Sequence, residues 1–304
     1  MTRRKTGASE GRAHRFGGDW TSEKLDILRG YLVGYTTALK NQPFKTGYID
    51  AFAGTGYRTV KQTDPEEGLL FPELAEDAPQ GMLDGSAKLA LQVVPRFDSY
   101  IFIEKDKDRC RELEKLKLEF PSLSSDIDIQ PMDANRAIQG LCKKKWDRHR
   151  AVLFLDPYGM DVEWATIQGV AATAAIDLWL LFPLGIGVNR LLPRSGKIPA
   201  SWRNRLNSLL GTDDWYNEFY EQETSEDLFG IEETTSVKKG IEVISRYFVS
   251  RLETVFPGVS PNPRILMNST GSPLYLLCFA VGNPSKSAQK IALRIANSLL
   301  LKKV

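Results

Sequence analysis

The chain has 304 residues, of which 42% are hydrophobic and 26% charged, and a net charge of +2. That length buries a large core in one domain, and no apolar run reaches the about 18 residues of a membrane span, so no membrane-spanning helix is expected. Three cysteines, Cys110, Cys142 and Cys278, lack metal-ligand spacing and leave one odd, which predicts packing roles, no metal site and a cytoplasmic location.

Residues 1–18, "MTRRKTGASEGRAHRFGG", carry charge but no apolar core segment, so a flexible arm is expected there rather than a signal peptide. "WTSEKLDILRGYLVGYTTALK" places Leu25, Leu28, Leu32 and Leu39 with Tyr31 and Tyr35 on one helical face. Short apolar runs follow, each closing on an acidic or turn residue: "TGYIDAF", "SYIFIEKD", "IDIQPMDAN", "RAVLFLDPYG" and "AIDLWLLFPLG". Helix-length segments separate them, at 84–95, 107–119, 134–146 and 161–174. This alternation predicts an α/β fold with a mostly parallel sheet covered on both faces. "RILMNSTGSPLYLLCFAVGN" predicts a closing antiparallel hairpin, and 284–304 a last helix. Residues 57–83 and 183–262 break the alternation and read as insertions, the longer one with helical patterns at 199–210 and 236–256.

Charge is uneven. Arg190, Arg194, Lys197, Arg203 and Arg205 have no acid among them and surround Trp202, whereas 206–237 holds nine acidic residues and no basic one. The basic stretch has two readings, phosphate contact with an interleaved aromatic or a solvated face. The acidic segment would repel a nucleic acid; it faces a protein partner, pairs with the basic stretch, or is disordered. "KKKWDRHR", 143–150, reads as solubilising.

In an open α/β sheet ligands sit beyond the carboxyl ends of the strands. There the sequence places "DAFAGTG", Asp50 to Gly56, in which Gly54 and Gly56 allow a tight turn against a ligand, with Phe52 and Ala53 between. Glu104, Asp133 and Asp156 close the second, third and fourth expected strands. Taken singly, each acid could merely cap the following helix. Four together suit a cationic ligand with a ribose and an adenine, and S-adenosylmethionine has that chemistry. A pyrophosphate would meet like charge, and the dinucleotide fingerprint wants G-x-G-x-x-G with an acid about 20 residues on, a spacing this chain lacks. Asp156, Pro157, Tyr158 and Gly159 form a turn that also reads as chemistry: the Asp156 carboxylate and Pro157 carbonyl can accept from the N–H of a base amine while Tyr158 stacks on the ring.

With "EKLDILRGYL", "GYIDAFAGTG", "DGSAKLAL", "FIEKD", "LFLDPYG" and "NSTGSPLYLLCFA", the chain resembles the class I S-adenosylmethionine-dependent methyltransferases, and most closely the three-Cys-motif partner proteins. The resemblance implies a Rossmann-like domain over 19–304, with a seven-stranded, mostly parallel sheet ending in an antiparallel hairpin and a helical insertion, 183–262, after strand five. It also implies a separate partner protein carrying the three-cysteine motif and resembling radical enzymes. The pattern is similar to ribosomal-RNA adenine-N6 methyltransferases, which implies cofactor or catalytic roles for Lys24, Ser86, Glu104 and Asp156. Lys24 departs from that family in residue type, and the single proline of D-P-Y-G is closer to the D-P-F-G of tRNA guanine-N2 methyltransferases. Two functions are expected from this: methyl transfer to an exocyclic amine of a nucleobase in RNA or DNA, or a silent methyltransferase-fold module that docks the three-Cys-motif enzyme.

Overall fold

A computed structural model describes residues 19–53, 85–157, 159–226 and 232–302. The expected arm, the glycine turn at Gly54 and Gly56, most of the first insertion and Tyr158 lie outside the described residues. Helix α1 (Asp19–Leu39) buries Leu25, Leu28, Tyr31, Leu32 and Tyr35, as their helical spacing dictates. Then follow in alternation β1 (Lys45–Ala51), α2 (Ser86–Leu91), β2 (Ser99–Ile103), α3 (Lys107–Glu119), β3 (Ile127–Gln130), α4 (Ala134–Cys142), β4 (His149–Leu155), α5 (Trp164–Ala172) and β5 (Ile176–Phe182). Asp106 starts α3 by accepting from the amides of Asp108 and Arg109, and Asp133 starts α4 by accepting from that of Arg136.

The main sheet has the order β3-β2-β1-β4-β5, all parallel, with β10 (Pro273–Val281) antiparallel beside β5. Side chains alternate between two cores. Ile49, Leu153, Leu178 and Leu180 face α4, α5 and the insertion, while Tyr48, Phe154, Trp179 and Leu181 face α1, α2, α3 and the last helix, α9 (Lys286–Leu300). All seven residues of β5 are buried, as a central parallel strand requires.

Beyond β10 lie two short strands, β8 (Gly258–Val259) and β9 (Arg264–Met267), both antiparallel to it, so the sheet has eight strands where seven are expected. Pro261 and Pro263 stand between them. Proline has no amide to give to the ladder, and two of them divide one edge strand into two. The insertion after β5 also differs from a purely helical one. Helices α6 (Ala200–Leu210), α7 (Trp215–Phe219) and α8 (Ile241–Glu253) form, but the acidic segment pairs as a separate two-stranded ribbon, β6 (Tyr220–Glu226) with β7 (Glu232–Lys238). Its Thr, Val and Tyr suit a strand.

Helix α1 is pinned twice. Gly30 and Gly34 let it approach α9 so closely that a Cβ on Gly30 would stand 2.6 Å from Leu299. Tyr31 donates to the Asp177 carboxylate at 2.7 Å, and the Gly282 amide donates to its other oxygen at 3.0 Å. These bonds satisfy a fully enclosed acid and join α1, β5 and the end of β10.

Just past β5, a Cβ on Gly185 would lie 1.8 Å from the carbonyl oxygen of Pro273, a backbone atom that cannot turn aside. Gly185→Ala is therefore expected to lower the unfolding free energy by about 1–3 kcal/mol, or to prevent folding, in a denaturant titration. An unchanged midpoint would mean the β5–β10 crossing is looser than described.

Candidate functional site at the carboxyl edge of the sheet

The chain order reverses at β1: it proceeds outward through β2 and β3, then returns to place β4 on the other side of β1. Ligand crevices form at such switch points. The register fixes what meets there. Ala51, the last residue of β1, pairs with Ile103 on one side and Leu155 on the other. The next residues, Phe52, Glu104 and Asp156, therefore form one row across the crevice, with Asp50 two residues behind on β1. Gln130 pairs with Ile103, so Asp133 stands at the same edge beyond β3.

Lys24, on α1, is 6% exposed, and its Nζ donates to Asp156 Oδ2 at 2.5 Å. It is a buried partner of the β4 acid and not a solvated helix residue. The Trp20 ring, one turn earlier on the same helix face, lies 5.1 Å from that ammonium. Asp156 keeps 27% of its side chain exposed, so the carboxylate has one side on lysine and one on the crevice. No described residue is hydrogen-bonded to its Oδ1.

Asp50 is fully buried. Tyr48 donates to its Oδ2 at 3.0 Å and Ser86 also hydrogen-bonds it, while Oδ1 has no hydrogen-bond partner. Burial pushes the Asp50 carboxyl up to about 7, opposed by the bonds from Ser86 and Tyr48, with the Asp156 charge adding and Lys24 subtracting. Ser86 is the first residue of α2, whose cap position is Gly85, so its hydroxyl serves Asp50 rather than the helix end. Glu104, 8% exposed, accepts from the Asp106 amide at 2.8 Å and has the Arg109 guanidinium at 3.9 Å. Asp133 accepts from the Arg136 amide at 3.1 Å, the ordinary work of a helix cap.

Phe52 has φ of 75°, a region bulky residues rarely occupy. The amides of Phe52 and Ala53 both donate to the Ile103 carbonyl at 3.0 Å, which holds the end of β1 in this bent form. Strain of this kind concentrates at ligand sites. Two residues escape a reading based on acids and glycines, Tyr48 and Trp20. Both have a periodic signal: Tyr48 is two residues before Asp50 on the same strand face, and Trp20 is four before Lys24 on the helix.

The insertion borders this edge: a Cβ on Gly187, in the segment that leaves β5, would lie 3.2 Å from Met160, two residues past the D-P-Y turn. Of the basic stretch, Arg203 stacks over Trp215 and Tyr216 at 5.4 and 4.9 Å, and Trp202 packs against the core. Arg190 and Arg205 are half-buried, whereas Arg194 and Lys197 are exposed. Their loop is fastened from the ribbon side: Lys238 donates to the carbonyls of Asn189 and Leu192, Tyr220 to that of Pro193 and Tyr216 to that of Gly196.

No family model matches the sequence, and no curated protein matches it. Among solved structures, the chain is similar to protein LPL1258 from Legionella pneumophila, with 11% identity, 94% of each chain covered and a TM-score of 0.45. It is also similar to a putative methyltransferase, yhhF, from Escherichia coli, with 12% identity, 69% of this chain and 85% of that one covered and a TM-score of 0.27. A third is a magnesium protoporphyrin IX methyltransferase from Synechocystis with S-adenosylmethionine bound, at 12% identity, 76% and 87% coverage and a TM-score of 0.31. The strand order and register, rather than these distant likenesses, define the fold and the crevice.

The site has a pH signature. The Asp50 carboxyl stands at about 7 and that of Asp177 at about 6, both raised chiefly by burial from an ordinary value of 3.8. The folded chain thus holds these protons more tightly than the unfolded one. Their contribution to stability is full below about pH 4 and is lost as pH rises through about 7. Asp50→Asn should flatten the decline in unfolding free energy between about pH 5 and pH 7, measured by denaturant titration at each pH. An identical slope in the variant would show that Asp50 is ionised throughout.

Proposed function

We propose that the protein transfers a methyl group from S-adenosylmethionine to an exocyclic amine of a nucleobase in RNA or DNA. The observation that carries the reading is the row of carboxylates across the switch point, with Asp156 held from behind by a buried lysine and open toward the crevice. The residues present fit the cofactor. It is cationic at sulfur and at its α-ammonium, and the edge offers Glu104 for the ribose diol, Asp133 for the adenine, and Asp50, Phe52 and Ala53 for the methionine part, to which Gly54 and Gly56, outside the described residues, are also assigned. The unpartnered Asp50 Oδ1 is an acceptor still lacking its donor, as a fit to an ammonium-bearing group requires. When bound, the cofactor supplies an electrophilic methyl group on a sulfonium.

The chain's own residues prepare the nucleophile. An amine on a base ring shares its lone pair with the ring. Acceptance of its N–H by Asp156 Oδ1 and the Pro157 carbonyl favours the localised lone pair and stabilises the positive charge that develops on nitrogen. Lys24 occupies Oδ2 and so fixes which oxygen faces the substrate. Tyr158 is assigned to stacking on the base, worth about 1–3 kcal/mol. Arg194 and Lys197, exposed beside the crevice, are assigned to the phosphates of the substrate, together with the remaining basic residues of that stretch where they reach it.

The second reading keeps the fold but removes the chemistry: a module that docks a separate three-Cys-motif enzyme, the family role its sequence motifs resemble. It is favoured by the ribbon, where Glu221 and Glu223 are exposed and would repel a nucleic acid near the entrance.

Calorimetry and methyl-transfer assays separate the two. Glu104→Ala should weaken cofactor binding about 10- to 100-fold, as loss of charge-assisted hydrogen bonds does. Asp156→Asn, which keeps an acceptor for Lys24, should change cofactor affinity less than Glu104→Ala does while lowering methyl incorporation into nucleic acid by about 100-fold or more. A wild-type chain that binds cofactor yet labels no RNA or DNA pool would sustain the module reading; no heat of cofactor binding would remove the methyl-transfer reading.

A further inference from the structure

The opposite edge of the sheet, where the parallel strands begin, carries a second charged feature that methyl transfer does not use. A cleft of about 650 Å³ opens there, between the end of α1 and the starts of β1, β2 and β4. Lys40, Lys45, Arg96 and His149 contribute to its wall, with Asp98 and Asp126. The two acids are already spoken for: Lys45 pairs with Asp98 at 2.8 Å and Arg96 with Asp126 at 3.6 Å. The α4–β4 connection reaches the same edge, because the Lys45 amide donates to the Arg148 carbonyl at 2.9 Å and Lys45 is in register with His149. That connection presents Lys143, Lys144, Lys145 and Arg148, all exposed. Neither these four nor Lys40 makes an ion pair among the described residues. The cleft and residues 143–148 together hold seven Lys or Arg and three Asp, an excess greater than the +2 of the whole chain. The rest of the chain sums to a net negative charge, so this edge is one of its distinct basic clusters, beside the 190–205 stretch.

We propose that this edge is a second nucleic-acid contact, which grips the phosphodiester backbone of the substrate on the side away from the methyl-transfer crevice. The inference rests on the nucleobase reading above and extends it to the size of the substrate. β4 runs from this edge to Asp156 in seven residues, a span of about 20 Å at roughly 3.3 Å per residue. A single nucleotide cannot touch both edges at once, whereas a polynucleotide of several residues, extended or folded with a projecting target base, can. The cations lie on a connection and at element ends, so they contact phosphates without sequence readout.

The test is salt-dependent binding of a labelled RNA stem-loop to the full chain and to the triple variant Lys143→Gln, Lys144→Gln, Lys145→Gln, with Lys40→Gln as a separate report from the cleft. These exposed positions should leave the thermal melt and the heat of cofactor binding unchanged. The slope of log affinity against log salt is expected to fall by about 2 in the triple variant and by up to about 1 for Lys40→Gln. Wild-type affinity and slope in both variants would overturn the proposal, and if Arg194→Gln, Lys197→Gln then loses binding, the nucleobase reading survives without it. Equal affinity for polyglutamate would overturn the assignment to phosphates. Absence of any RNA or DNA binding by a wild-type chain that still binds cofactor would overturn both this contact and the nucleic-acid substrate, leaving methyl transfer to another class of acceptor.

Discussion

The ion pair between Lys24 and Asp156 holds the site together, because it joins the first helix of the chain to the end of the fourth strand. A lysine this deeply placed is tolerated only with a partner, and removing either member would leave a charge without compensation. The pair thus requires α1 to lie across the carboxyl edge at a fixed height. That height is set elsewhere, by Gly30 and Gly34 against α9 and by Tyr31 on Asp177. A helix remote in sequence from the strands becomes a wall of their crevice through contacts that have no chemistry of their own.

The same edge gathers more negative charge than it neutralises. Lys24 answers Asp156, but Asp50 is left fully buried with one oxygen unpartnered and a carboxyl near neutrality. Such an arrangement costs stability. The bent, positive-φ backbone at Phe52 adds to this, since it is maintained by two amides on one carbonyl rather than by a residue suited to it. Strain and unmet polarity therefore coincide at the switch point.

Across the molecule, charge is divided by the direction of the strands. Acids follow the carboxyl ends, and lysines and arginines precede the amino ends of β1 and β4. The insertion borders the carboxyl edge, its basic loop fastened by Lys238, Tyr216 and Tyr220 to an acidic ribbon. Arg203, stacked on two aromatic rings, shows that part of the basic stretch builds this attachment rather than a free surface.

The sequence by itself determined the alternation of strands and helices, because each run of "GYIDAF" or "AVLFLD" type is short, apolar and closed by an acid, and each helix between them has its own period. It also brought Glu104 and Asp156 directly after β2 and β4, with Asp50 inside the end of β1 and Asp133 three residues past β3. It did not disclose that the last edge strand is divided by Pro261 and Pro263, or that an acidic segment pairs as a ribbon, since strand pairing depends on a partner distant in the chain. Only the tertiary structure decided that Lys24 is buried on Asp156 and that Ser86 and Tyr48 meet at Asp50. The reason is physical: periodicity is local and survives in the linear order, whereas the meeting of two charged side chains depends on how helices pack across a sheet, a relation that no neighbouring residues encode.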